Sequence, residues 1–258
     1  VSEPIAALLA QLVADARAAH PERPALIGVG GAQGSGKSYQ CEAFAKAHPR
    51  TAHFSLDDVY LTHEEREQLA AALHPLFVTR GVPGTHDLSM ARGVVARLGS
   101  ALVTELPRFD KALDDRAPEI IWPTFQGPAD AILVDGWCMG AVAAAMSPPF
   151  NAVERADADG EWRESITAFI ETDYAPFFDA CDAIVYLQAP SFEIVRRWRG
   201  EQEEKLLGRA MNDSERAALD RFIMHYERLT RSMLAGFHRA DWIVHLDEAR
   251  NVVRIEQR

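Results

Sequence analysis

Short apolar runs rich in valine, isoleucine and leucine alternate along the chain with stretches whose apolar residues recur every three to four positions. Five runs read as buried strands: residues 25–30, 51–56, 132–135, 183–187 and 242–246. Strands that alternate with helical stretches predict an α/β fold, a mainly parallel central sheet with crossover helices on both faces. Near the amino end, Ile5, Leu8, Leu9, Leu12, Val13 and Ala16 fall at helical spacing. Asp15 and Arg17 interrupt that stretch and no basic segment precedes it, so it reads as an amphipathic helix and not as a signal peptide. A long helix is expected over 213–234, opened by Asn212 and Glu215 as a capping pair, with Leu219, Phe222, Ile223, Tyr226 and Leu229 on one face. Between 57 and 129 the pattern loosens around Pro75, Pro83, Pro107, Pro118, Pro123 and Pro128, and loops there are expected to carry a second substrate's site. The whole of 1–258 is read as one domain, without internal repeats or linkers.

Composition narrows the function classes. The chain is 48% hydrophobic and 25% charged, ordinary values for a globular protein. A formal net charge of −11 argues against a broad surface that tracks the phosphates of DNA or RNA. Positive charge is therefore expected to be local, and only four lysines are present: Lys37, Lys46, Lys111 and Lys205. Cys41, Cys138 and Cys181 form neither a disulfide framework nor a zinc pattern, which fits a reducing cytoplasm. No run approaches the roughly 20 apolar residues of a membrane span. Nothing in the sequence reads as a sign of oligomeric state.

The chemistry begins at GAQGSGKS. Gly31, Gly36, Lys37 and Ser38 satisfy the phosphate-loop pattern, set between an apolar strand and a helix-compatible stretch. Glycines let the backbone curl so that N–H groups converge on an anion, and the following helix adds its positive end. Residues Gly31, Ala32, Gln33, Gly34, Ser35, Gly36, Lys37, Ser38 and Tyr39 are thus expected to hold the phosphates of ATP, with Lys37 bridging the outer two and the Ser38 hydroxyl on Mg²⁺. The run ILVDG ends in Asp135, placed like a second metal-holding carboxylate. FSLDD puts Asp57 and Asp58 at the carboxyl end of another strand, the edge that faces the ligand crevice in open α/β sheets. Asp57 is placed to take the proton of an attacking hydroxyl. Asp58 serves equally well as a helix cap.

Together GAQGSGKS, FSLDDVYLT, TRGVPGTHDL, FDKALDDRAP, VDGWCMGA, WRGEQEEKL and HYERLTR resemble bacterial D-glycerate 3-kinases, within the phosphoribulokinase, uridine kinase and pantothenate kinase group. The resemblance runs from about residue 26 to 247. It implies the P-loop NTPase three-layer α/β/α sandwich with an arginine-containing lid, here about 196–212, and acceptor-site insertions about 57–129. It implies Asp57 as the base and Lys37, Arg197 and Arg199 as charges on the moving phosphoryl group. Asp58, Tyr60, His86, Asp87, Lys111 and Arg116 become acceptor ligands, Lys111 and Arg116 facing a carboxylate. The implied reaction moves the γ-phosphate of ATP, with Mg²⁺, to D-glycerate, giving 3-phosphoglycerate.

Plainer roles stand beside these. Lys111 and Arg116 can pair with Asp110, Asp114 and Asp115 on a solvated loop, Arg197 and Arg199 can pair with Glu201 and Glu203, and Tyr226 fits core packing. Two positions depart from the group: Tyr39 stands where threonine is usual, and Asp135 where glutamate is more common, a shorter reach toward the metal. Related kinases of pantothenate, nucleosides or sugar phosphates remain alternatives, as does a nucleotide-switch NTPase. Against the switch, neither an NKxD nor an LSGGQ segment is present.

Overall fold

Six strands build the central sheet of the computed structural model, which describes residues 2–144 and 147–258. In chain order they are β1 (Ala25–Gly31), β2 (Thr51–Ser55), β3 (Ala131–Gly136), β4 (Ala183–Gln188), β5 (Trp242–Leu246) and β6 (Val252–Gln257). Their spatial order is β6-β5-β4-β1-β3-β2, parallel throughout except for β6, which pairs antiparallel with β5. The five anticipated strands are all present. The sixth was not anticipated, because this edge strand exposes Val253, Arg254, Glu256 and Gln257 and so lacks a continuous apolar run.

Period-two alternation sorts the strand residues into two cores. Ile27, Leu133, Val185 and Leu187 face helices Glu3–Ala19, Lys37–Ala47 and Phe192–Leu207, whose Leu9, Phe44 and Trp198 are buried. Leu26, Ile132, Val134, Ile184 and Tyr186 face the other way, onto Leu88–Leu98 and the aromatic group Tyr174, Phe177 and Phe178. That gives the three layers.

A repeated polar device fixes the strand entries. Residues just before β3, β4 and β5 are Asp130, Asp182 and Asp241. Asp182 Oδ2 accepts the Leu26 amide at 2.8 Å and its carboxylate takes two bonds from Arg23, at 2.9 and 2.6 Å. Asp241 Oδ2 accepts the Ile184 amide at 2.7 Å, and Asp130 pairs with Arg50 at the head of β2. Each carboxylate thus satisfies a strand-end donor that the ladder leaves over, or a cation beside one.

The helix expected over 213–234 is two. Asn212 and Glu215 form the anticipated capping box for Asp213–Met224, but a second helix, Glu227–Leu234, follows after a break. At the break the His225 ring bonds back to the Arg221 and Phe222 carbonyls, and Tyr226 sits in the turn between the two helices with its hydroxyl donated to the Arg80 carbonyl at 2.6 Å. The apolar stripe also divides: Leu219 and Ile223 join one core, Phe222, Tyr226 and Leu229 the other. Residues 57–129 hold short helices and two small antiparallel strand pairs, Val103–Glu105 with Thr124–Gln126 and Phe109–Asp110 with Asp115–Arg116. Among the described residues no helix is long and apolar enough to cross a membrane.

Burial opposes the charge on Asp182, yet the bonds from Arg23 and the Leu26 amide outweigh it and hold the carboxyl below its usual range. A depressed folded value contributes stability in full above the unfolded pKa, and that stability is lost as pH falls through the folded one. Asp182→Asn should lower the unfolding free energy by about 1–3 kcal/mol at neutral pH. In urea titrations the gap between the two proteins should begin to narrow as the pH drops below about 4 and close only below the depressed folded pKa.

Candidate active site

At the carboxyl end of β1 the chain turns through the phosphate loop into helix Lys37–Ala47. Gly36 occupies the helix N-cap in the left-handed region, φ 87°, with no side chain to cap the helix. The amides of Gly36, Lys37 and Ser38 find no protein acceptor among the described residues, so the loop presents open donors where the helix dipole is positive. Gly34, φ 78°, lies against helix Phe192–Leu207: a Cβ there would sit 2.6 Å from the Trp198 Cβ. Its carbonyl accepts Arg250 Nε at 2.7 Å, and the Arg250 guanidinium stacks over Trp198 at 4.8 Å. The curl is therefore braced from behind.

Because β3 lies between β1 and β2, their carboxyl ends converge. Ser38 Oγ donates to Asp135 Oδ2 at 2.8 Å, and the other oxygen of this fully buried carboxylate lies 2.7 Å from His53 Nε2 on β2. Hydroxyl and carboxylate oxygens side by side at the mouth of a phosphate loop are the donor set that Mg²⁺ prefers. Sequence reading missed His53. Its only signal was a polar residue in an apolar strand, which passes equally for an ordinary outward position.

Asp57 follows the end of β2 on the turn Leu56–Val59. Its carboxylate accepts the Tyr60 hydroxyl at 2.7 Å on one oxygen and Lys111 Nζ at 2.5 Å on the other. Burial alone would raise its pKa, but the charges of Lys111 and Lys37 and the two hydrogen bonds hold it well below the carboxylate range. Asp57, Tyr60 and Lys111 line one cleft of about 680 Å³ with Gln33 to Gln40 of the loop, and Arg80, Arg199, Lys205, Phe222, Tyr226 and Arg250 complete much of its wall.

No protein-family model matches the chain. The uncharacterized kinase mug58 of Schizosaccharomyces pombe is 30% identical over 222 residues, covering 79% of this chain and 79% of that protein. The chloroplastic D-glycerate 3-kinase of Arabidopsis thaliana is 30% identical over 197 residues, 70% of this chain and 41% of that longer protein. The chain belongs to the same family of kinases as mug58. In fold it is similar to the D-glycerate 3-kinase from Cryptococcus neoformans, with a TM-score of 0.75 over 98% of this chain and 99% of that one, at 24% identity.

Within this kinase the remaining site candidates divide by position. Asp58 closes a capping box with Ser55 and pairs with Arg108 at 2.8 Å; burial pushes its pKa up to about 6 despite that arginine. His86 is buried with Nδ1 2.5 Å from the Tyr174 hydroxyl, and its ring packs behind Tyr60 at 4.8 Å. The Tyr174 hydroxyl also accepts the Gly84 amide at 3.0 Å, and burial lowers the histidine's pKa to about 4, keeping it neutral. Asp87 caps helix Leu88–Leu98 through the Met90 amide. Arg116 donates to the Tyr60 carbonyl at 3.1 Å and stands 3.7 Å from both Glu65 and Asp87, outside the cleft lining. On helix Phe192–Leu207, Arg199 lines the cleft while bonded to Glu203 at 2.7 Å. Arg197 turns to Glu248, at 3.0 Å, and to Glu201, and is not part of the lining.

The brace behind the phosphate loop is testable. Gly34→Ala forces a side chain into a left-handed backbone, at about 1–2 kcal/mol, and against Trp198 besides. Affinity for the magnesium nucleotide, measured by calorimetry, should fall about tenfold or more.

Proposed function

We propose that the chain transfers the γ-phosphoryl group of ATP to a hydroxyl of D-glycerate, giving 3-phosphoglycerate. The observation that carries this reading is Asp57, an ionised carboxylate opening on the same cleft as the phosphate loop. The naming of two related proteins as D-glycerate 3-kinases supplies the acceptor.

Lys37 and the open loop amides neutralise charge on the nucleotide's outer phosphates and orient them for in-line transfer. Ser38 and Asp135 would hold Mg²⁺, which supplies further charge neutralisation on those oxygens when bound. Asp57 takes the acceptor's hydroxyl proton as attack proceeds. In the structure Lys111 holds that carboxylate too acidic to be an effective base. An acceptor carboxylate arriving beside it draws Lys111 off, and Asp57 becomes more basic as the substrate binds. The arginine-bearing segment 196–212 acts as the lid over the phosphates and excludes water as a competing acceptor.

A panel of D-glycerate, L-glycerate, pantothenate, nucleosides and sugar phosphates, read by ADP release and by ³¹P NMR of the product, tests the assignment. D-glycerate should give the highest kcat/KM, and a clear preference for another acceptor would replace it. Asp57→Asn should lower kcat by about 10²–10⁴-fold while nucleotide affinity holds. Lys111→Met removes the charge that depresses Asp57, so the acid limb of the kcat/KM profile should move to higher pH. An unmoved limb would take Asp57 out of the base's role.

A further inference from the structure

One cleft cation has no role in the mechanism above. Arg80 lies in the segment TRGVPGTHD, and its guanidinium sits between the rings of Phe109, at 5.8 Å, and Phe222, at 5.9 Å. Nη1 is bonded to the carboxylate of Asp114, and the Arg80 carbonyl is anchored by the Tyr226 hydroxyl. Nε and Nη2 have no hydrogen-bond partner among the described residues, and the side chain, 20% exposed, lines the cleft. The group is therefore held in place with half of its fork open.

Its charge is not cancelled locally. Asp114 answers two arginines, Arg80 and the fully buried Arg66, the latter at 3.0 Å, and His63 approaches the same carboxylate. Phe109 connects Arg80 to the chemistry: it packs edge-on against Tyr60 at 5.1 Å, and Tyr60 holds Asp57. Two aromatic rings thus link an open guanidinium fork to the proposed base, and both charged groups line the same cleft. A fixed fork with excess positive charge matches a carboxylate, which it can meet through two parallel hydrogen bonds.

We infer that Arg80 grips the carboxylate of the acceptor and sets the enzyme's preference for a hydroxy acid over a neutral polyol. Arg116 is the other arginine near Tyr60, but it lies outside the cleft lining, to which Arg80 belongs. The inference rests on the hydroxy-acid reading above and adds the residue that recognises the acid.

The test compares D-glycerate with glycerol, which offers hydroxyls without the carboxylate, in the wild type and in Arg80→Gln, Arg80→Lys and Arg116→Gln. Arg80→Gln should raise KM for D-glycerate about 10- to 100-fold, the loss of a charge-assisted pair, with KM for ATP holding and a several-fold smaller loss toward glycerol. Arg80→Lys keeps the charge without the fork and should fall between, which also guards against a glutamine variant that folds poorly. Any loss in Arg116→Gln should fall equally on both acceptors. Equal losses toward glycerate and glycerol in both Arg80 variants, or a carboxylate-selective loss in Arg116→Gln, would overturn the assignment. If the wild type does not phosphorylate D-glycerate, the functional reading fails separately. Arg80 is then judged on the acceptors the wild type does use: a selective loss toward an anionic one upholds its role, and use of neutral acceptors alone ends it.

Discussion

The bond from Ser38 to Asp135 joins the phosphate loop to the neighbouring strand, and the geometry of the site follows from it. It exists because β3 lies directly beside β1 in parallel register, so that the loop leaving one strand and the carboxylate ending the other emerge at the same edge. β2 pairs with β3 on the far side, bringing His53 against the same carboxylate and Asp57 to the same cleft. Without that strand order the loop would still bind an anion, but no acid would stand ready for a metal or a proton.

Asp57 and Asp58 show how neighbouring, chemically identical groups are driven apart. Both are removed from water, which by itself raises a carboxyl pKa. Lys111, Lys37 and Tyr60 reverse the effect at Asp57. At Asp58 one arginine and one amide do not, and the charges of Asp57 and Asp135 add to its burden. Asp57 is held charged and facing the cleft, while its neighbour is spent on the turn that follows β2.

Legibility in the sequence followed the range of the interactions. Strands buried on both faces announce themselves as apolar runs, so β1 to β5 were readable, and the phosphate loop was readable because its glycines and lysine are local requirements. The exposed edge strand β6 was not. The break at Tyr226 escaped because its cause, the Arg80 carbonyl, lies 146 residues away. His86 and Asp87 stood out within PGTHD, yet one supports Tyr60 from behind and the other caps a helix. Arg80, six residues before His86 in the same segment, carried no periodicity or motif of its own and became visible only through the rings that flank it.

A chain with formal charge −11 repels anionic substrates over most of its surface, yet three of its four lysines, Lys37, Lys111 and Lys205, line one cleft with Arg80, Arg199 and Arg250. Several of these cations are already partnered: Lys111 by Asp57, Arg199 by Glu203, Arg250 by Glu201 and Gly34. Such pairing limits what each contributes at rest and keeps the cleft from being a mere anion trap. It also makes the site responsive. In the reaction proposed above, a ligand carboxylate or phosphate would compete for a cation and free the acid that held it, so that binding of the correct anion would change the protonation chemistry next to it. A neutral ligand of the same size has no such leverage, because it cannot displace Lys111 from Asp57. Discrimination and activation are then one electrostatic exchange, set by which cations are shared and which, like Arg80, keep half their donors open.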